Sequence, residues 1–464
     1  MQVSHSVRAL SASFDDPNLV SAAGLVPILK IAEKAGLHRL ADQWLSVPTD
    51  KGANAGLKVA SLVGGMVAGA DSIDDMAVLR HGGMRKLFSS YYAPSTLGSF
   101  LQEFSFGHVR QLDAVASRFL RGLTIEAPLL VTETAAGCVF LDIDDTIIEV
   151  HGHQKQGSGY GYSGVDGINA FLATVKTDAS APIIVGQRLR RGACGSPRGA
   201  ARMVRDALAT IKRLNGMAST RILLRADSAF YGYATMRSAI NAGAAVSVTA
   251  RMDPAVKRAI ATIPDNAWES IEYTDASYDE ATKTWISAAE VAEIPFTAFT
   301  SRKKNEHIAG RLVVRRIPEL NKKDLEHPTL FDTHRFHAFF TTSDLLTVAA
   351  DKTHRAHAVI ELVNADLKNS ALAHLPSGVF TANAAWLVVA VMAFNLTRAA
   401  ATIAGTGLAK ATTATIRRKL VTVPARIASS ARRIMLHLPE HWPWEPAWTA
   451  LFRHSAERPR LAPS

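Results

Sequence analysis

Hydrophobic residues change their spacing several times along this chain, and each change marks a segment. Over residues 18–123 the apolar positions fall at helical intervals. Leu25, Ile28, Leu29, Ala32 and Ala35 share one face, and Gly36 is placed to break the helix. Leu57 to Leu87, rich in Ala, Val, Leu and Met, predicts further packed helices, and Ser95-Thr-Leu-Gly-Ser-Phe reads as a capped helix start. From Cys138 the pattern switches to short apolar runs. Strands are predicted at 139–150, 168–176, 182–190, 221–227 and 245–250, and helices at 199–214 and 232–242. Short links join the first three strands, whereas helices separate the later ones, which suits a mixed sheet with helices packed against it.

From about 252 to 350 that alternation lapses into a β-rich stretch containing Trp268, Trp285, Arg311-Leu-Val-Val-Arg-Arg316 and His337-Ala-Phe-Phe-Thr-Thr342. Its last strand is a candidate member of the core sheet. Helical periodicity returns from 351 to about 403. The longest apolar run, Val379 to Phe394, is interrupted by Asn383 and short for a membrane span, so a buried helix is expected. Glycines 152, 157, 159, 161, 164 and 167 invite comparison with a phosphate-cradling loop. Such a loop opens directly onto a helix, whereas Ile168-Asn-Ala-Phe-Leu-Ala-Thr-Val reads as a strand, so a wide hairpin loop is predicted.

Charge adds a partner class. The 464 residues carry a formal net charge of +11, which favours a polyanion, and residues 396–464 concentrate it with eleven Lys and Arg against three acids. Only Cys138 and Cys194 occur, without metal-ligand spacing, and the first residues lack the basic start and apolar core of a signal peptide. A cytoplasmic protein without a membrane segment is expected.

Three acidic residues carry the candidate chemistry. In the strand-like run Val139-Phe-Leu-Asp-Ile-Asp-Asp-Thr-Ile-Ile-Glu-Val150, alternation puts Asp142, Asp144 and Thr146 on one face and Asp145 on the other. Asp227 follows the apolar run Ile222-Leu-Leu, with Arg225 as a candidate ion-pair partner. Glu361 lies in a helical stretch with Lys368 two turns further along the same face, and with His354 and His357 before it. Buried carboxylates are costly without compensation. Two strand-borne aspartates and a helix-borne glutamate are the ligand set expected for paired Mg²⁺ ions acting on phosphodiesters, with Mn²⁺ as a substitute.

The runs Leu141-Asp-Ile-Asp-Asp-Thr-Ile-Ile-Glu-Val-His-Gly, Gly159-Tyr-Gly-Tyr, Arg190-Arg-Gly, Arg225-Ala-Asp-Ser-Ala-Phe-Tyr and Ala382-Asn-Ala-Ala-Trp with Phe394-Asn-Leu together resemble bacterial insertion-sequence transposases of the DDE class, in the group called transposase DDE domain group 1. The resemblance runs from about residue 20 to 400. It implies an α/β protein: a ribonuclease-H-like mixed-sheet core with a β-rich insertion, preceded by a helical domain and followed by a basic helical tail. The expected boundaries are 1–135 for the helical domain, a candidate for binding DNA ends; 136–251 and 346–403 for the core; 252–345 for the insertion; and 404–464 for the tail.

By position, the resemblance assigns Asp144, Asp227 and Glu361 as catalytic metal ligands, with Asp144 serving both ions. One ion would activate water or a DNA 3′-hydroxyl and the other would stabilise the leaving oxygen. The family places Tyr and Arg seven and four residues before the glutamate. Here those positions hold His354 and His357, while Lys368 matches, and all three are candidate phosphate ligands. Trp268 and Trp285 are candidates for stacking on a flipped base. The implied partners are duplex DNA carrying terminal inverted repeats and target DNA, bound by a homodimer. Two alternatives remain: a haloacid-dehalogenase-like phosphatase with Asp142 as nucleophile and Asp144 as acid/base, and a DNA-binding protein without catalysis.

Overall fold

The computed structural model describes residues 9–457 except 89, 133–136, 152–154, 162, 280–283, 319–333, 406 and 431–432; the side chains of 272–288 and 318 are also outside the description. Strand β1 (Leu19–Val20) precedes helices α1 (Leu25–Lys34), α2 (Leu37–Trp44), α3 (Ala55–Ala68), α4 (Met84–Leu87), α5 (Pro94–Gln102) and α6 (Phe106–Glu126). Gly36 separates α1 from α2 as anticipated, at φ +86°, a conformation costly for a side-chain-bearing residue. The capped start expected at Ser95 is displaced. The helix opens on Pro94, whose missing N–H would have found no intrahelical partner at that position, and Ala93 supplies no side-chain cap.

The sheet follows the predicted windows within a few residues. Strands β2 (Cys138–Glu149), β4 (Asp166–Lys176) and β5 (Ile183–Arg190) pair antiparallel, and the short β3 (Gly159–Tyr160) adds to β4 in the glycine-rich hairpin. Helix α7 (Ala200–Ile211) leads to β6 (Arg221–Ala226), and α8 (Tyr233–Asn241) to β7 (Ala245–Thr249). Both β6 and β7 run parallel to β2, so the core order is β5–β4–β2–β6–β7.

After α9 (Pro254–Ala261), strands β8 (Glu269–Asp279), β9 (Thr284–Ala298), β10 (Ile308–Pro318) and β11 (His334–Thr341) form an antiparallel meander. β11 pairs with β7, so the meander continues the core sheet rather than standing apart from it.

Helices α10 (Thr347–Arg355), α11 (Val359–Lys368) and α12 (Phe380–Ala404) follow. By length and composition α12 is apolar enough to cross a membrane, yet 89% of its apolar window is buried inside the protein. It packs between β5 and the helices α3 and α6. Its polar residues have structural partners. Asn395 accepts from the Ile184 N–H (2.9 Å) and donates to the Ile184 carbonyl (2.8 Å), while the Trp386 ring N–H donates to Ala371. Among the described residues the N-terminal helices and the core sheet share one continuous apolar cluster.

The C-terminal segment corrects the expectation of a helical tail. After the short α13 (Thr413–Ile416) come β12 (Ala425–Ser430), β13 (Arg433–His437) and α14 (Glu445–Ala456). β12 pairs with β1, making a three-stranded sheet that ties the two ends of the chain together. Ile416, Leu420, Val421, Val423, Trp448 and Leu451 are buried in the main core. The basic charge therefore sits on a packed element.

Candidate active site

Strand alternation presents Asp142, Asp144 and Thr146 to the helices covering β2. In the parallel register Asp142 lies opposite Arg225. The guanidinium donates from Nε and Nη2 to the two Asp142 oxygens, both at 2.7 Å, with the side chains 1% and 0% exposed. Arg225 thus pairs with Asp142, not with Asp227 as expected. Its Nη1 also donates to the Thr353 carbonyl at 2.6 Å, and His357 Nδ1 lies 3.1 Å from Asp142 Oδ1. Burial pushes the Asp142 carboxyl up, but Arg225 and His357 outweigh burial and hold it below the usual carboxylate range. These contacts clamp α10 and the start of α11 onto β2 and β6. They also remove the phosphatase alternative's nucleophile, because both Asp142 oxygens are engaged.

Asp144, two residues along, has no cationic clamp. Its Oδ2 accepts from Asn364 Nδ2 at 2.8 Å. Burial is the main cause that pushes its carboxyl up to about 7, and the negative charges of Asp145 and Asp227 add to it. Asp227 directly follows β6 and caps the next turn, its Oδ1 accepting from the Ala229 N–H at 3.0 Å. The residue is open to solvent on one side, yet partial burial of the carboxyl also moves it upward.

Helix α11 and the helical turn 356–358 just before it supply the opposite wall. His357, Glu361, Asn364 and Lys368 follow a helical stripe, and three of the four reach β2. His357 reaches Asp142, Asn364 reaches Asp144, and Lys368 Nζ lies 3.5 Å from Thr146 Oγ1. Glu361 occupies the stripe position between His357 and Asn364, and its side chain is exposed. Among the described residues no three His, Cys, Asp or Glu side chains stand close enough to form one metal cluster. The fold brings Asp144 and Asp227 within electrostatic reach of each other and places Glu361 on the facing helix.

Other predicted residues are placed differently. His354 is packed face to face with Phe339 (4.1 Å between ring centres), and its ring nitrogens bond to Ser247 (2.9 Å) and Thr249 (3.0 Å). Burial, helped by neighbouring His357, Arg225 and Arg315, pushes it down to about 3. A neutral ring with both nitrogens engaged does not suit the expected phosphate contact, so His354 is a packing residue joining α10 to β7. Trp268 is half-buried against the main core with the Arg316 guanidinium 4.3 Å from its ring centre, so the ring is engaged rather than presented for stacking. The side chain of Trp285 lies outside the described residues.

One site residue, Asn364, escaped the sequence reading, and so did the partners of Asp145. Asn364 is buried, and while its Nδ2 holds Asp144, its Oδ1 has no partner. Asp145, pointing to the opposite face, accepts from Arg190 and Asn169, both at 2.5 Å. Helical spacing from Glu361 is the one signal that could have singled out Asn364.

The family model for transposase DDE domain group 1 matches residues 3–458, nearly the whole chain. The chain belongs to that family. No curated protein matches it. As a DDE-class transposase the chain is an enzyme of DNA transposition and recombination, with DNA as its partner, and the class generally uses a divalent metal.

Proposed function

We propose that this transposase binds the terminal inverted repeats of an insertion sequence, cuts DNA there and transfers the strand ends to target DNA. Asp144, Asp227 and Glu361 are the proposed catalytic set, and a homodimer is the proposed acting form. The observation that carries the reading is the pairing of Asp144 on the central strand with Asp227 at the end of the neighbouring parallel strand, beneath the stripe of α11. The order β5–β4–β2–β6–β7, with three antiparallel strands and then two parallel ones, supports a ribonuclease-H-like core.

The chemistry of Asp144 and Asp227 suits a divalent cation, which Glu361 would join from the facing helix on a closer approach than this structure has. Asp144 is pushed upward by burial and by two neighbouring carboxylates, the condition that bound positive charge would relieve. The unpartnered Asn364 oxygen beside it adds a neutral donor. Mg²⁺ or Mn²⁺ would be held by Asp144, Asp227 and Glu361, and when bound it would polarise the scissile phosphate and lower the pKa of the attacking hydroxyl. The chain's own part is positioning. Asn364 fixes one Asp144 oxygen and leaves the other for a ligand. The Asp142–Arg225–His357 clamp seats α11 over β2. Lys368, at the rim of a groove of about 600 Å³ lined also by Thr146 and Ser196, offers a cation to a phosphate.

The test uses duplex DNA carrying the inverted repeats that flank the gene. Wild-type protein with Mg²⁺ or Mn²⁺ is expected to nick it. Asp144→Ala, Asp227→Ala and Glu361→Ala should each abolish nicking while still binding the duplex. Undiminished cutting by all three variants overturns the assignment.

A further inference from the structure

Behind the loop that borders the Lys368 groove lies a second groove of about 740 Å³, and arginines dominate its charged lining. Arg188, Arg190, Arg191, Arg198 and Arg202 line it, with no acidic side chain among the lining residues. The two grooves share Ala193 and Cys194, so the 192–196 loop is a common wall rather than a barrier between distant sites.

Arg190 explains how this loop keeps its shape. It is buried and paired with Asp145, it donates to Asn169 at 2.8 Å, and its Nη1 donates to the carbonyls of Ser196 (3.0 Å) and Arg198 (2.7 Å). One guanidinium thus ties the back of β2 to the C-terminal end of the loop, while Arg190 itself ends β5 just before the loop begins. Arg191, Arg198 and Arg202 are left exposed around it.

Local acids do not neutralise the patch. Asp113 is shared between Arg110 and Arg188, and Asp206 between Arg110, Arg202 and Arg205. Arg191 and Arg198 have no acid within ion-pair distance among the described residues. Six arginines therefore face two aspartates. The start of α7 adds to the positive field, because Gly199 provides no side-chain cap and the space where its Cβ would point is open.

Exposed guanidinium groups, only partly neutralised by two shared aspartates, suit phosphates spaced along a backbone better than a single small anion. We infer that this groove is a sequence-independent track for the phosphate backbone of duplex DNA, running from the catalytic face over the 192–198 loop to α7. The inference rests on the proposed DNA-cutting function and adds the path of the duplex beyond the cut site.

The measurement is the salt dependence of duplex binding by the full-length chain. It compares wild type with Arg191→Glu/Arg198→Glu/Arg202→Glu and with the milder set carrying Gln at the same positions. A control set, Arg258→Glu/Lys303→Glu/Lys304→Glu, makes the same charge change at exposed positions elsewhere. The Glu and Gln sets should flatten the log–log salt slope by about 2 to 3, near 0.9 for each lost phosphate contact, equally for repeat and random duplexes. The control should change it much less.

An unchanged slope in the folded Gln set, or an equal change in the control, overturns the track while leaving the carboxylate assignment standing. A loss confined to repeat-bearing duplexes overturns it as well, because backbone contacts carry no sequence information. Loss of nicking in the Asp144→Ala protein with normal slopes speaks only to the catalytic set, so the two readings fail separately.

Discussion

Replacing Arg225 with Met tests whether the buried clamp holds the site together. Asp142 is 0% exposed and Arg225 1%, and two bonds of 2.7 Å join them. Removing the guanidinium leaves a carboxylate in the interior with only His357 beside it. Breaking a buried pair from one side costs about 3–5 kcal/mol, and the lost bond to the Thr353 carbonyl adds about 1 kcal/mol. Removing both charges avoids the stranded carboxylate, so Asp142→Leu/Arg225→Met should recover at least about 2 kcal/mol relative to the sum of the single changes. Urea denaturation followed by circular dichroism, on wild type, both single variants and the double, closes the cycle. Additive losses, or an Arg225→Met cost below about 1 kcal/mol, would refute the reasoning that this pair is desolvated and mutually dependent.

Asp144 predicts an unusual pH trend. Its carboxyl is raised from 3.8 to about 7, so the folded state holds the proton more tightly and stability falls as pH rises through that range. The full shift corresponds to about 4 kcal/mol, reduced to roughly 2 kcal/mol by solvent screening at this half-buried site; thermal melts at pH 5 and pH 8 in chelator should show the slope, and Asp144→Asn should reduce it, leaving the smaller part that the raised Asp227 contributes. Asn364→Ala should lower the nicking rate and weaken Mn²⁺ binding with a small effect on DNA affinity, and equal loss of all three would point to a folding defect instead. Deleting residues 410–464 should unfold the protein rather than merely weaken DNA binding, because Leu420, Val421, Trp448 and Leu451 are core residues; a cooperative melt from the truncated chain would contradict this. Charge reversal at the exposed Arg418 and Arg433 is the cleaner test of the tail's field, and a flatter salt slope is expected.

Much of the core was legible because its strands are strongly patterned. The run around Asp144 has one residue parity apolar on each side, and that parity correctly put Asp142 and Asp144 on one face. The strand windows at 139–150 and 221–227 matched for the same reason. Arg225 illustrates what pattern cannot give. It is two residues from Asp227, but its partner is decided by the parallel register that sets it opposite Asp142. His354 fails in the same way: helical spacing aligned it with Glu361, whereas burial against Phe339 depends on where β11 falls. The tail strands 425–430 and 433–437 are short and are specified largely by pairing, the first with β1 and the second with the first. Asn364 was silent because an asparagine on a helix carries no charge signal until the strand beneath it is known.

Shared coordination of a divalent ion is tested most directly by Mn²⁺ binding measured by electron paramagnetic resonance, without DNA and then with the cognate duplex. Wild-type protein should take up Mn²⁺, and Asp144→Ala, Asp227→Ala and Glu361→Ala should each lose most of that binding in the duplex complex. Wild-type affinity in the Glu361→Ala complex would remove the helix-borne carboxylate from the site and contradict the three-residue assignment.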